Sequence, residues 1–173
     1  MSKSIDFSSL TLQDALDLAV LVEEEAQERY LELADQMDTH RTWEAAEFFR
    51  FMAGNEAKHG LELSKKRRTL FGLTPRRVDR SMLWDVEAPS YDTVRAFMQP
   101  REAFSVALQS EEKARQFFAD ALGHVTDVEV QKLFEELRDE EVEHGELVKK
   151  ELSKLPPGPD PDVESFVDEP VAQ

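Results

Sequence analysis

The sequence contains no cysteine, which rules out structural disulfides, thiolate zinc sites and iron–sulfur clusters. Any metal must then be held by oxygen and imidazole nitrogen. Positive charge is also short: 21 basic residues stand against 37 acidic ones, for a net charge of −16. A surface of that sign repels nucleic acid and anionic membranes, keeps a protein in solution and concentrates cations nearby. No apolar run approaches the roughly 20 residues that span a bilayer, and MSKSIDFSSL lacks the apolar stretch of a signal peptide. With 40% hydrophobic and 34% charged residues among 173, the expectation is one soluble, helix-rich, cytoplasmic domain with no nucleic-acid or membrane partner.

Four segments carry helical periodicity. The first follows Thr11, which forms an acidic variant of the capping box with Asp14, and runs to about Met37. The second runs from about Trp43 to Leu70, before Gly72 and Pro75, with KKRR at 65–68 set at the negative end of its dipole. The third starts near Pro100 and stops before Gly123. The fourth reads as capped by Thr126, with Glu129 three residues on, and ends before Pro156. Tight turns at 38–42 and 123–126 make each pair antiparallel. A long connection, about 71–99, joins the pairs, with a short helix expected after Ser90. The fold class is therefore all-α: a four-helix bundle of two antiparallel pairs joined by a long crossover, as in ferritin-like proteins. Residues 1–10 read as an N-terminal arm and 11–155 as the domain. Residues 156–173, with five of the eight prolines, five acids and no base, read as an extended, disordered tail whose VESFV segment alone has apolar surface for docking.

The two pairs repeat each other. Adding 88 to the first helix pairs Glu23 with Glu111 and Tyr30 with Phe118; adding 85 to the second pairs Glu56 with Glu141, His59 with His144 and Gly60 with Gly145. The matched polar residues fall on apolar stripes: Leu16, Ala19, Glu23, Ala26, Tyr30; Phe49, Met52, Glu56, His59, Leu63; Phe104, Ala107, Glu111, Ala114, Phe118; and Phe134, Leu137, Glu141, His144, Val148. Four carboxylates would thus converge inside a bundle, which is costly without compensation. Two divalent cations supply it. In Glu-x-x-His the two side chains are neighbours on one helix face and reach a common ion. Carboxylates with one imidazole per metal suit iron or manganese and also accept zinc. One Glu from each of two helices and Glu-x-x-His from each of the others is the ligand pattern of di-iron bundles. A lone Glu-x-x-His in so acidic a chain is an ordinary helix face; two, each about one helix–turn–helix after a core-facing Glu, form a specific signal.

EEEAQERY at 23–30, NEAKHG at 55–60, EEKARQFF at 111–118 and EEVEHG at 140–145 resemble the ferritin-like superfamily, in particular its rubrerythrin and bacterioferritin branch, over about residues 11–153. The resemblance implies a centre of two iron ions per chain, bridged by Glu56 and Glu141, with Glu23 and Glu111 as terminal carboxylates and His59 and His144 as terminal imidazoles. Three departures follow. The lack of cysteine leaves no rubredoxin-type iron, so a peroxidase would need an external electron donor. Ala114 stands where rubrerythrins carry a further Glu, which favours the symmetric ligand set. Ala57 stands where the bacterioferritin haem methionine would lie, so no haem is implied. No fifth packed helix follows the fourth, which argues against a closed cage; a homodimer or larger homo-oligomer is expected.

Tyr30, two helical turns after Glu23, is read as a core aromatic with a satisfied hydroxyl, or as a group that hydrogen-bonds within the site or donates an electron there. His40 and His124 read as solvated turn residues. Ala19, Ala26, Ala107 and Ala114 serve helix packing or leave room for oxygen or peroxide, and Trp43 and Trp84 are expected to pack the bundle end and the crossover. The functional expectation is oxidation of Fe(II) by dioxygen or hydrogen peroxide. The alternative is a non-catalytic protein for iron binding, storage or delivery.

Overall fold

In a computed structural model, which describes residues 6–82 and 99–157, four long helices carry the chain. They are α1 (Leu12–Thr39), α2 (Trp43–Phe71), α3 (Pro100–Leu122) and α4 (Val128–Leu152). Among the described residues there is no strand, and none of the helices is long and apolar enough to cross a membrane. The packing is strongest within the pairs α1–α2 and α3–α4, giving the all-α, ferritin-like bundle. The short helix expected after Ser90, Trp84, and the tail beyond residue 157 with its VESFV segment lie outside the described residues.

Local chemistry sets the helix ends. The Thr11–Asp14 capping box at the start of α1 forms in full. α2 ends at Gly72, whose φ of 61° is the left-handed conformation that glycine adopts without a Cβ penalty. Pro100 occupies the first turn of α3, where its missing N–H costs nothing. The cap of α4 is Asp127 and not Thr126. The Asp127 carboxylate accepts from the N–H groups of Glu129 (2.8 Å) and Val130 (3.3 Å), while the Thr126 hydroxyl turns to the carbonyl of Ser8. An anion is the stronger partner for the positive end of a helix.

The inward stripes divide the core in two. One apolar cluster joins the first half of α1 (Leu16, Ala19, Val22) to the end of α3 (Phe118) and the start of α4 (Phe134, Leu137). The other joins the second half of α1 (Tyr30, Leu33, Met37) to the start of α2 (Phe49, Met52) and of α3 (Phe104). Trp43 is on neither side. At the start of α2 the inward places go to Ala45 and Ala46, and the indole stays 59% exposed. The N-terminal arm packs through Phe7, whose ring meets Phe117 edge-on at 5.5 Å.

The described part of the crossover lies along α1 by charge. Asp17, fully buried, receives two hydrogen bonds from Arg67 at 2.7 and 3.2 Å, and Arg76 stands 3.7 Å away. Arg67 also donates to the carbonyls of Gly72 and Thr74, so one guanidinium ties α2, the start of the crossover and α1 together. Arg77 meets Asp14, and Arg80 holds Glu28 in a fork at the surface. Breaking a buried pair leaves an uncompensated charge, whereas exposed pairs contribute little. Arg67→Ala should therefore lower unfolding stability by about 3 kcal/mol. Arg80→Ala should lower it by less than about 1 kcal/mol. Urea denaturation of the two variants beside the parent measures both.

Candidate metal centre

Between the two apolar clusters lies a polar layer. Glu23, Glu56, Glu111 and Glu141 are 3%, 2%, 4% and 7% exposed, one from each helix. All four point inward because each occupies the turn in its stripe where an apolar residue would otherwise sit. His144 is buried beside them, and the His59 side chain is 21% exposed. The two imidazoles stack with centroids 5.4 Å apart and planes 5° from parallel. The repeat read from the sequence thus reappears as two facing histidines, one from each half.

The residues form three overlapping groups, in each of which the potential ligand atoms all lie within 4.8 Å of one another: Glu56, His59 and His144; Glu111, Glu141 and His144; and Glu23, His59 and Glu140. The six residues expected from the sequence are therefore brought together. A seventh, Glu140, joins them, although sequence reasoning passed over it. It sits one position off the inward stripe of α4, within an acidic run that reads as a solvated face. Its one visible signal was its place immediately before Glu141.

Nδ1 of His144 stands 3.1 Å from Glu56 Oε1, 3.6 Å from Glu111 Oε2 and 4.0 Å from Glu141 Oε2. The angles are not those of hydrogen bonds: Nδ1 of His144 and Oε1 of Glu56 are buried without a hydrogen-bond partner, and so is Nδ1 of His59. Buried polar atoms are ordinarily satisfied. Here ring nitrogens and carboxylate oxygens stand across short gaps, an arrangement that suits a shared cation. The donor set of buried carboxylate oxygen and imidazole nitrogen fits a di-iron site.

The hydroxyl of Tyr30 donates a hydrogen bond to Oε1 of Glu111. Burial, together with the Glu111 and Glu56 carboxylates, pushes its pKa well above the ordinary tyrosine value, so it stays a donor. It lies in the core, and its hydroxyl is satisfied by Glu111, one of the six expected residues. Ala26 and Ala107 border a void of about 10 Å³ next to Tyr30 and Glu111, room for one water-sized molecule. Gly60 and Gly145 let the helices approach at this level. A Cβ on Gly60 would meet Glu23 Cβ at 3.3 Å, and one on Gly145 would meet Glu111 Cβ at 3.9 Å. His124 is exposed and His40 partly buried, and neither is in a ligand group.

The family model described as Rubrerythrin matches residues 14–152. No curated protein matches the chain. Among solved structures, the crystal structure of an uncharacterized conserved protein from Magnetospirillum magnetotacticum MS-1 is similar, with 30% sequence identity and a TM-score of 0.71, over 87% of this chain and 99% of that one.

Burial by itself would lower the pKa of His144, but its contacts with Glu111 and Glu56 outweigh that and hold it up at about 10, against an ordinary value of 6.5. A raised folded-state pKa stabilises the metal-free fold fully below pH 6.5, and that contribution disappears as pH rises through about 10. Metal-free protein should thus lose stability between those limits, and His144→Asn should flatten the slope. Chemical denaturation at pH 6.5, 8 and 10 in the presence of a chelator measures it.

Proposed function

This chain belongs to the rubrerythrin family, and from that premise we propose that it is a di-iron carboxylate protein that oxidises Fe(II) with dioxygen or hydrogen peroxide. The observation that carries the reading is the interior layer itself, in which four buried carboxylates and two stacked imidazoles converge from all four helices. When bound, a pair of iron ions supplies two electrons together to a two-electron oxidant.

The protein's part is to hold and to shape. Glu56 groups with both histidines, which supports a bridging position, and the repeat gives Glu141 the matching place. Glu23 and His59 are assigned to one ion, and Glu111 and His144 to the other. Carboxylate ligands favour the ferric state. The Tyr30 hydroxyl orients the Glu111 carboxylate through its hydrogen bond, and Phe118 and Phe134 help to close the layer from one side and Phe49 from the other. Without cysteine in these residues, electrons for peroxide turnover come from an external donor. His144, its pKa raised by the neighbouring Glu111 and Glu56, would give up its proton on binding a metal, because a ligating nitrogen must be deprotonated.

Anaerobic loading with Fe(II), followed by a pulse of dioxygen or peroxide and read by absorbance, tests the proposal. Renewed additions of Fe(II) should continue to be oxidised; uptake that stops once the centre is filled identifies a storage or delivery protein instead. The Glu56→Ala, Glu141→Ala double variant should lose about a hundredfold or more in oxidation rate, beyond the cost of losing an outer-shell partner. It should still fold, because it relieves carboxylate repulsion. Activity that survives in the double variant would place the chemistry elsewhere.

A further inference from the structure

The two halves of the centre differ at one place. The repeat that relates Glu56 to Glu141 relates Asn55 on α2 to Glu140 on α4, so a carboxylate in one half stands where the other has a neutral amide. Glu140 brings an oxygen into the same group as Glu23 and His59, and Asn55 has no carboxylate to offer in the matching position. We propose that Glu140 is an additional carboxylate ligand to the ion held by Glu23 and His59, which makes the two metal positions chemically unequal. This rests on the reading of the layer as a metal centre.

Distance distinguishes a shared ion from a hydrogen bond. Oε2 of Glu140 is 3.9 Å from Nδ1 of His59, too far for a hydrogen bond. Metal–ligand bonds of about 2.1 Å separate two ligands of one ion by about 3 to 4.2 Å, and this pair falls in that range. A second observation points to a cation at the same place. Nδ1 of His59, the atom that Glu140 faces, is buried without a hydrogen-bond partner, and Glu56, 2% exposed, groups with the same imidazole. Accessibility completes the case. The Glu140 side chain is 40% exposed and lies, with His59, on the wall of a cleft of about 170 Å³ between α2 and α4 that Glu62 and Glu136 also line. Glu140 can therefore meet a hydrated cation in the cleft and remain bound to it at His59. The Glu111–His144 end is more buried, and among the described residues no further acid joins its group, Glu25 lining only the small void beside Glu111.

Anaerobic titration with Co(II), followed by its visible ligand-field absorption and by equilibrium dialysis, tests this on the full chain. Wild-type protein should take up two ions, and Glu140→Gln should bind the first normally and the second at least about tenfold more weakly, with an altered band for that second ion. Glu143→Gln, an equal loss of charge at an exposed position on the same helix, should behave as wild type. If the wild type binds two ions and Glu140→Gln matches it in affinity and spectrum, the ligand assignment is wrong and the centre stands. Equal weakening by Glu140→Gln and Glu143→Gln assigns the effect to net charge and likewise overturns it. A wild type that binds no pair of ions removes the centre itself, and this inference with it.

Discussion

Four carboxylates packed into one interior layer are the constraint on which the rest of this structure turns. Each would be expensive to bury alone, and together they repel. The protein meets the cost locally. The His144 imidazole, its pKa held up at about 10, stands between Glu56 and Glu111, and Tyr30 donates to Glu111. Neither group offsets four carboxylates, so the layer suits cations, and the two apolar clusters hold it open from either side. The rigidity comes from those clusters and the affinity from the layer. That division explains how a bundle can carry so much unfavourable charge at its centre and still be a bundle.

Charge is partitioned by depth. The acids that face inward converge in the layer, and several of those along the α1–crossover seam are matched by the cluster of arginines at 76, 77 and 80. Asp17 is the point where the two regimes meet: it is buried like a ligand yet fully engaged by Arg67. Because Arg67 also caps carbonyls after α2, the latch fixes the α1–α2 pair one to two turns from Glu23 and His59. Helix spacing at the layer itself is set by Gly60, whose missing Cβ lets Glu23 approach. The geometry of the layer therefore depends on residues that lie outside it.

The helices and the six expected ligands were legible because two periodic signals coincide. Helical stripes say which residues face inward, and the repeat says which polar residues on those stripes are no accident. What escaped was whatever depends on a partner distant in sequence. Asp14 and Asp17 look like surface acids of α1 until the crossover places Arg77, and α2 places Arg67, against them. Trp43 has the composition of a core residue, but two alanines just after it already close the helix end. Thr126 and Asp127 are both good caps, and only the backbone path decides that the carboxylate takes the N–H groups. Glu140 escaped because periodicity assigns a residue to a face, whereas a ligand at the margin of a face is decided by the width of the cleft beside it.

The repeat makes the ligands alike and leaves their surroundings different, and the difference runs in one direction. Tyr30 gives its hydroxyl to Glu111, whereas its repeat partner, Phe118, has none to offer on the Glu23 side. The His144 side chain is 6% exposed against 21% for His59. The void beside Glu111 holds about one water, while the cleft beside His59 is many times larger. One end of the layer is thus closed and orientationally fixed, and the other is open and carries an extra acid. A symmetric pair of sites would fill and empty alike. On the proposed reading an unequal pair gives an order: the closed end would retain its ion, while the open end would be where an ion or an oxidant meets solvent. Symmetry in the expected ligands would then supply the redox partnership, and asymmetry in their neighbours the direction of traffic through it.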